Sequence, residues 1–322
     1  MRAIIVSETG GPEVLVAHET EVPSAGPGEL LVEAAAIGVN FIEIYQRQGV
    51  YSVPLPFTPG TEGAGTVIAV GDGVTEFAVG DRVATAGARG TYADQFVVSA
   101  DQAVRVPEGI DLETAGALPL QGCTAHYLAT SAARPAPAEG DTVLVHAGAG
   151  GVGLLLTQLL VAHGVRVLTT ASTDEKRALS LTAGAIRSFA YDDFADGVRE
   201  FTEGEGVSVV FDGVGLTTFD DSLRSLAVRG TLVLFGGASG QVPPFDLQRL
   251  NAGGSLMVTR PSLPHFMRSR DEVEWRYREL FEAIAAGTLQ VRIGQRFVLA
   301  DAADAHRALA SRGTTGKLIL VP

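Results

Sequence analysis

The hydrophobic and polar positions of this chain follow one pattern up to about residue 141 and a different pattern after it. Before that point, short apolar or alternating runs are separated by glycine and proline: MRAIIVS, ELLVEAAAIGV, AGTVIAVG, GDRVATA, YADQFVVSA and AVRVP. Runs of this kind between turn residues are typical of short strands. The segment LETAGALPLQGCTAHYLATSA is expected to be helical, and RPAPAEGD to be a connector.

From Asp141 onward, short runs rich in Val and Leu alternate with helix-like stretches; the runs are TVLVHA, VRVLTTA, VSVVFDG and GTLVLFGG. This alternation predicts a parallel sheet with helices on both faces. A long amphipathic helix, RDEVEWRYRELFEAIAAG, and mixed strands follow beyond about Arg260. We therefore expect an α/β chain. A doubly wound parallel-sheet domain, residues 125–260, is inserted in a second domain made of residues 1–124 and 261–322.

The composition narrows the classes of protein that fit this pattern. A chain of 322 residues, with 46% hydrophobic and 19% charged residues, is long and apolar enough for two domains. The formal net charge of −13 disfavours broad binding to nucleic acid, whose phosphates attract clustered Lys and Arg. No apolar run reaches the roughly 18 residues of a membrane span, the start shows no export signal, and the single cysteine excludes an internal disulfide. A cytoplasmic protein is expected.

The run VLVHAGAGGVGLLLTQLL, residues 143–160, contains the most informative motif of the chain. Its glycines Gly148, Gly150 and Gly153 fit the pattern G-x-G-x-x-G, after a strand-like run and before apolar residues at helical spacing. Glycines at such a turn let the backbone approach a pyrophosphate, and the helix N-terminus offers it N–H groups. A glycine-rich structural turn is the alternative. The strand before it and the helix and strand after it favour a dinucleotide site.

The residues after the second strand indicate which dinucleotide is bound. Proteins that bind NAD usually place an acid at the strand end, about 20 residues on, for the ribose 2′-hydroxyl. Here Asp174 is near that spacing but is expected in the following helix, while Ser172 and Thr173 end the strand with Lys176 close by. Hydroxyls and an ammonium suit a 2′-phosphate, so NADPH is the expected cofactor. Ser172 and Glu175 also fit a capping box for the same helix, and both roles can coexist.

The chain also resembles a known family over essentially its whole length. The segments that carry the resemblance are, in order, GGPEVL, GVNFIEIYQRQGVY, GTEGAGTVIAVG, GDRV, HAGAGGVG, FDGVG and VTRPSL. Together they are similar to the zinc-independent quinone oxidoreductases, the zeta-crystallin-like branch of the medium-chain dehydrogenase/reductase superfamily. The resemblance implies a GroES-like, mainly β substrate domain together with a Rossmann domain, binding of NADPH, and a homodimer.

The resemblance further implies which residues contact the cofactor, carried over only where the motifs of this chain match. These residues are Phe41, Tyr45, Thr124, Tyr127, Gly150, Gly151, Val152, Ser172, Thr173, Lys176, Tyr191, Phe235, Gly236, Gly237, Ser239, Pro261, Ser262 and Arg312. Gly237 and Gln121 differ from side chains that relatives often carry near the active site. The preferred substrate is therefore left open.

Two positions at which zinc alcohol dehydrogenases of the superfamily carry metal ligands are replaced here. Gly38 stands where an early cysteine is expected, and the segment GTE, residues 60–62, stands where those enzymes carry G-H-E. Cys123 and His126 lie three residues apart on a predicted helix. A catalytic zinc typically has three protein ligands, so these two are interpreted as packing residues. A site without metal is expected.

A site without metal restricts the chemistry, because nothing acidifies the hydroxyl of an alcohol substrate. A quinone or enone instead accepts hydride at a conjugated position, and hydrogen-bond donors stabilise the charge that reaches its oxygen. We expect Asn40, Tyr45 and Tyr51 to be these donors, although Tyr51 fits pocket shaping as well as proton donation.

The primary hypothesis is an NADPH-dependent quinone oxidoreductase acting on a small molecule, with no nucleic-acid or membrane partner. Two alternatives stay open at this point. One is an enoyl or enone reductase, which would use the same hydride chemistry. The other is an NADPH-binding protein with a structural or RNA-binding role, which the acidic composition disfavours.

Overall fold

The chain forms fifteen strands and ten α-helices, described for residues 1–322 by a computed structural model. The strands are β1 (Arg2–Ile5), β2 (Val16–Glu19), β3 (Glu29–Val39), β4 (Gly63–Val70), β5 (Arg82–Thr85), β6 (Gln95–Ser99), β7 (Val104–Arg105), β8 (Thr142–Val145), β9 (Arg166–Thr170), β10 (Arg187–Phe189), β11 (Val207–Asp212), β12 (Leu226–Leu234), β13 (Met257–Thr259), β14 (Ile293–Val298) and β15 (Lys317–Val321). The helices are α1 (Phe41–Arg47), α2 (Leu112–Ala117), α3 (Pro119–Tyr127), α4 (Gly151–Ala162), α5 (Asp174–Thr182), α6 (Phe194–Phe201), α7 (Phe219–Ser225), α8 (Gln248–Ala252), α9 (Arg270–Ala285) and α10 (Ala302–Ala310).

Contacts between residues divide the chain into two compact units. The first unit contains Met1–Cys123, Met267–Gly287 and Val291–Pro322, and the second contains Thr124–Phe266 and Thr288–Gln290. The expected domain boundaries, at 124/125 and 260/261, stay predictions, because a division by contacts does not show where an independently folding domain ends.

The second unit is built on a six-stranded sheet in which all neighbouring strands are parallel. The strand order is β10-β9-β8-β11-β12-β13, so the chain starts in the middle, fills one half of the sheet and then fills the other. This is the Rossmann order, and such sheets bind ligands beyond the carboxyl ends of the strands where the order reverses. Here the reversal lies between β8 and β11. The predicted doubly wound sheet is confirmed.

The first unit is built on a sheet with the strand order β14-β15-β3-β4-β5-β7, to which β6 adds by pairing with β3. All of its pairs are antiparallel except the pair of β14 and β15. The 11-residue strand β3 lies inside the sheet, and its buried residues Leu30, Val32 and Ile37 join Val67 and Phe96 in one apolar core. The predicted mainly β domain is confirmed.

Most predicted strands are present, but three helical regions differ from the expectation. The long helix predicted from Leu112 is divided, because α2 ends at Ala117 and α3 begins at Pro119, which has no N–H to donate to the preceding turn. Both α1 and α10 lie where strands and turns were expected. A signal for α1 was present, since Glu43 stands three residues after Asn40, as in a capping box. None of the helices combines the length and the hydropathy that crossing a bilayer requires.

Candidate active site

The glycine motif lies between β8 and α4, next to the reversal of strand order. A Cβ at Gly153 would overlap a backbone carbonyl oxygen of the turn, and a Cβ at Gly148 would lie 2.6 Å from side chains of neighbouring elements. The turn therefore requires glycine at both positions. Gly150 is the N-cap of α4, and no side chain caps this helix. The first-turn N–H groups, including those of Gly151 and Val152, thus form a cradle that suits a pyrophosphate.

The loop between β9 and α5 and the first turn of α5 contain three of the residues predicted to select NADPH. Ser172 and Thr173 are exposed in this loop, and Asp174 lies inside the helix as expected. Thr173 is the N-cap of α5, because its Oγ1 accepts a hydrogen bond from the N–H of Lys176 at 3.2 Å. The predicted capping box of Ser172 with Glu175 is therefore wrong by one residue, since the helix begins one position later. Burial lowers the pKa of the Lys176 ammonium.

Tyr191 follows β10 and lies at the same edge of the sheet. The N–H of Ala171 donates to the carbonyl oxygen of Phe189 at 3.0 Å, so the carboxyl ends of β9 and β10 are side by side. The ring of Tyr191 stacks on the imidazole of His146, with centroids 6.2 Å apart, directly after β8. All four predicted 2′-phosphate residues are thus brought to neighbouring strand ends. Their contact with a phosphate stays a prediction.

Asp212 ends β11 and organises the loop that follows. Its Oδ1 accepts hydrogen bonds from the N–H groups of Val214 at 2.7 Å and Gly215 at 2.9 Å. Its Oδ2 accepts from the hydroxyls of Thr218 at 2.7 Å and Ser222 at 3.0 Å. Asp212 was not among the predicted site residues. Its signal was the position of an aspartate at a strand end before Gly-Val-Gly, where aspartate typically bonds the backbone two residues on.

The loop after β12 carries four of the predicted cofactor residues: Phe235, Gly236, Gly237 and Ser239. The N–H of Phe235 donates to the carbonyl oxygen of Asp212 at 2.8 Å. The hydroxyl of Ser239 donates to the carbonyl oxygen of Val214 at 2.8 Å and accepts from the N–H of Thr217 at 3.0 Å. These bonds join the loop to the residues after β11. The role of the loop at the nicotinamide stays a prediction.

The remaining predicted residues of the second unit lie on two elements. Pro261 and Ser262 follow β13, whereas Thr124 and Tyr127 lie at the C-terminal end of α3. Tyr127 is buried, and its ring stacks face to face on Phe266 with centroids 4.4 Å apart. One face of the Tyr127 ring is therefore used in packing. Contact of these four residues with the cofactor stays a prediction.

In the first unit, α1 and the loop after it bring three predicted aromatic residues together. The ring centroids of Phe41 and Tyr45 are 6.2 Å apart, and those of Tyr45 and Tyr51 are 5.6 Å apart in an edge-to-face arrangement. Tyr51 is 42% exposed. Arg312 is exposed in the loop after α10 and has a φ of 56°, in the left-handed region. The aromatic residues form one row, but their catalytic and cofactor roles stay predictions.

Asn40 lies in a buried polar network at the start of α1. Its Nδ2 donates to Oε2 of Glu62 at 2.8 Å, and its Oδ1 accepts from Nζ of Lys317 at 2.6 Å. The ammonium of Lys317 also pairs with Oε2 of Glu62. The other oxygen of Glu62 accepts from the N–H of Leu120 at 2.6 Å, and Glu43 accepts from the N–H of Asn40 at 2.8 Å. The predicted donor Asn40 therefore has both heteroatoms of its amide engaged within the protein.

Glu43 is the second carboxyl group of this network. Burial raises its pKa from 4.5 to about 8, the Lys317 ammonium acts to lower it, and the Glu62 carboxylate raises it further. Glu43 therefore holds its proton at neutral pH. The one ion pair of the network is then that of Glu62 with Lys317.

The positions that replace zinc ligands lie beside this network. A Cβ at Gly38 would overlap the carboxylate of Glu62, so no cysteine fits there while Glu62 keeps its place. No group of three or more His, Cys, Asp or Glu side chains is arranged to hold a metal ion. Cys123 is buried, and burial raises the pKa of its thiol to about 12, as suits a packing residue. The site without metal stays a prediction.

The pair of Glu62 and Lys317 was not among the residues that the sequence analysis singled out. Lys317 precedes the apolar run LILV, where a lysine resembles an exposed strand end, and Glu62 was considered only as the neighbour of a replaced zinc ligand. The two residues are 255 positions apart. The pairing of β3 with β15 and with β4, which begins directly after Glu62, brings them together, and no local pattern encodes these pairings.

The Rossmann sheet, its glycine turn and the separate mainly β unit define the chain as a medium-chain dehydrogenase/reductase. In agreement, residues 26–108 match the alcohol dehydrogenase GroES-like domain, and residues 151–283 match the zinc-binding dehydrogenase domain. The chain is 44% identical to a quinone oxidoreductase of Pseudomonas aeruginosa over 97% of both chains. It is 38% identical to a 2-haloacrylate reductase of a Burkholderia species over 99% of this chain and 98% of the relative.

A solved structure of a mycobacterial protein complexed with NADPH has a TM-score of 0.97 to this chain, at 53% identity and with all of both chains covered. The chain belongs to the quinone oxidoreductase family. The family expected from the sequence motifs is thus confirmed.

Proposed function

We propose that this protein is an enzyme that transfers hydride from NADPH to a quinone. The observation that carries the proposal is the set of residues after β9. Ser172 and Thr173 follow the strand, and the ammonium of Lys176 lies in the first turn of α5. No acid stands at the strand end, because the two nearby acids, Asp174 and Glu175, both lie in α5. An acid at the strand end would repel a 2′-phosphate, whereas this set attracts it. The family to which the chain belongs supports a quinone as the acceptor.

The second unit would hold most of the cofactor. The first turn of α4 offers uncapped N–H groups to the pyrophosphate, and Ser172, Thr173, Lys176 and Tyr191 would surround the 2′-phosphate. The loop of residues 235–239, fixed by its bonds to the residues after β11, would position the nicotinamide ring. When bound, NADPH supplies the hydride.

The first unit would supply the groups that stabilise the acceptor. We assign this role to Asn40, Tyr45 and Tyr51, since fixed N–H and O–H donors lower the energy of the oxyanion that forms on the acceptor. The amide of Asn40 keeps one N–H beyond the one given to Glu62. Tyr45 and Phe41 would contact the nicotinamide ring.

Reduction of an α,β-unsaturated carbonyl compound is the second candidate. The similarity to a 2-haloacrylate reductase favours it, because a haloacrylate is an activated alkene conjugated to a carboxylate. The residues assigned above would serve this reaction as well, since charge again reaches an oxygen.

The loss of NADPH absorbance with a panel of quinones and enones tests the proposal, with NADH run in parallel. We expect turnover of quinones and a preference for NADPH. Turnover of enones alone would replace the quinone assignment by the second candidate. Tight binding of NADPH without any turnover would instead favour a binding protein.

We also propose a homodimer, which would pair through β13 at the edge of the second unit's sheet. This strand has only one neighbour within the chain, and Met257 and Val258 are exposed along it. An unpaired apolar edge strand is a template for pairing with another chain. We expect the mass of a dimer by light scattering, and a monomer that persists at high protein concentration would contradict the proposal.

Finally, we infer a cytoplasmic protein without a nucleic-acid partner. The net charge of −13 opposes contact with phosphate backbones, and the single cysteine forms no disulfide. Cell fractionation and RNA retention at moderate salt test these two statements. Recovery in the membrane fraction would contradict a cytoplasmic location. Retention of RNA that resists salt would contradict the absence of a nucleic-acid partner.

A further inference from the structure

The ion pair of Glu62 and Lys317 is buried, and the function proposed above does not use it. The side chains of Glu62 and Lys317 are 0% and 1% exposed, so both charges have lost their hydration. A buried ion pair seldom stabilises a fold more than apolar residues of the same volume would, because desolvation offsets the attraction. Stability alone therefore does not explain why a buried ion pair lies at the start of α1.

The pair fixes the orientation of the Asn40 amide. An ammonium can only donate hydrogen bonds, so the group that faces Lys317 must be the amide oxygen. A carboxylate can only accept, so the group that faces Oε2 of Glu62 must be the amide nitrogen. Neither partner tolerates a flipped amide. One N–H of Asn40 is left, and its direction follows from the other two bonds.

The surrounding backbone holds the pair in this position. Gly38 leaves space for the Glu62 carboxylate against β3, since any larger residue there would overlap it. The N–H of Leu120 fixes the second oxygen of Glu62 at 2.6 Å, at the first turn of α3. Lys317 is the first residue of β15, which pairs with the end of β3 just before Asn40. Three elements of the first unit thus converge on one side-chain amide.

We propose that Glu62 and Lys317 are positioning residues for hydride transfer, which act by holding the remaining N–H of Asn40 toward the acceptor oxygen. This inference rests on the proposed function, because it assigns the free N–H to an oxygen that becomes charged in that reaction. It goes beyond that function by naming two buried residues that would act through Asn40 and not by contact with substrate or cofactor.

The double variant Glu62→Gln/Lys317→Met tests the proposal, because it removes both charges together and leaves no unpaired buried ion. An amide at position 62 can donate or accept, so it no longer distinguishes the two orientations of Asn40. We expect kcat per NADPH-binding site to fall about 10-fold or more, as when a fixed donor to an oxyanion is lost. The Kd for NADPH should stay within about twofold, since the pyrophosphate and 2′-phosphate residues are untouched.

A double-mutant cycle with Asn40→Ala separates positioning from general support of the fold. If the pair acts through Asn40, adding Glu62→Gln/Lys317→Met to Asn40→Ala lowers kcat no further. The matched control is Tyr92→Phe, which removes a buried 3.0 Å hydrogen bond to His306 in the same unit without touching Asn40. It should lower the melting temperature and leave kcat unchanged. Additive losses in the cycle, or an unchanged kcat in the double variant, would overturn the proposal.

An inactive wild-type protein would contradict the proposed function and not, by itself, the positioning role. In that case the emission spectrum of bound NADPH supplies the readout, because it reports the surroundings of the nicotinamide ring. A spectrum that changes equally in Asn40→Ala and in the double variant would support the coupling of the pair to Asn40. A spectrum that changes in Asn40→Ala alone would overturn it.

Discussion

The two units of the molecule each bury a polar network, but they balance its charges in opposite ways. In the second unit, four neutral donors surround the single carboxylate of Asp212. In the first unit, the carboxylate of Glu62 pairs with the ammonium of Lys317, and Oε1 of the neighbouring Glu43 has no hydrogen-bond partner. A fully satisfied network gives rigidity, whereas a partly satisfied one is sensitive to any change of charge. The first network is therefore the part of the molecule in which function and pH are expected to be coupled.

The network of Asp212 also fixes the tautomer of His146. The hydroxyl of Ser222 donates to Asp212 at 3.0 Å, so its oxygen must accept from Nε2–H of His146 at 2.9 Å. Nδ1 of His146 then accepts from the hydroxyl of Thr170 at 2.8 Å. Burial lowers the pKa of His146, which keeps the ring neutral. The ends of β8, β9 and β11 are thereby joined by hydrogen bonds whose donors and acceptors are fixed.

Asp212→Ala is expected to have the largest effect on stability. The substitution leaves two N–H groups and two hydroxyls without their acceptor in a buried loop. We expect the free energy of unfolding to fall by about 3–5 kcal/mol, measured by denaturant titration. Asp212→Asn, which keeps one oxygen acceptor, should lose less. A loss below about 1 kcal/mol for Asp212→Ala would show that water replaces the carboxylate, and the contrast between the two networks would fail.

Glu43→Gln tests the network of the first unit, because this substitution should stabilise the protein at high pH, whereas Asp212→Ala destabilises it. In the folded state the pKa of Glu43 is about 8, against 4.5 as its ordinary value. Below about pH 4.5 the folded and the unfolded protein both hold the Glu43 proton, so Glu43 does not lower the free energy of unfolding there. Between these values the unfolded state releases a proton that the folded state keeps, so the stability of the wild type falls as the pH rises toward 8 and is lowest above it.

The variant Glu43→Gln cannot ionise and should escape that loss. Its advantage over the wild type should be absent near pH 4 and reach a few kcal/mol above pH 8, measured by unfolding at several pH values. The groups that face Glu43 are Lys317, which lowers its pKa, and Glu62, which raises it. Tyr92 lies close enough for Glu43 to raise the pKa of its phenol, and that phenol stays neutral over this range. An advantage that does not vary with pH would show that Glu43 is ionised at neutral pH.

The sequence predicted the second unit better than the first, and the reason is physical. The glycine turn, the strand before it and the residues predicted to select the cofactor are close together in the chain, so their pattern is visible in a short stretch of residues. Even there, the cap of α5 was misplaced by one residue, because Ser172 and Thr173 are both good N-caps. The network around Asn40 instead joins residues from β15, α1 and the start of β4, which only the folded sheet brings together.

Lys176→Ala tests whether the second unit selects its cofactor through the charge of this half-buried ammonium. We expect the Kd for NADPH to rise about 10-fold, because one charge-assisted contact to the 2′-phosphate is lost. The Kd for NADH should stay unchanged, since NADH has no such phosphate. Arg224→Ala is the control, because Arg224 lies in the last turn of α7 and pairs with Asp196 and Asp221 instead. Equal losses for the two cofactors would refute the assignment of Lys176.

Tyr51→Phe is expected to have the smallest effect, and it decides between the two roles open for this residue. Tyr51 is 42% exposed and contacts Tyr45 edge to face, so water reaches its surroundings. A quinol oxyanion can then take its proton from water, and loss of the phenol should lower kcat by less than about threefold. A dedicated proton donor would instead contribute about 100-fold or more, and its loss would remove one limb of the pH–rate profile. The two candidate donors differ in their surroundings, because Asn40 is buried and Tyr51 is exposed. If Tyr51→Phe lowered kcat more than Asn40→Ala does, the aromatic row of Phe41, Tyr45 and Tyr51, and not the buried amide network, would hold the catalytic donor.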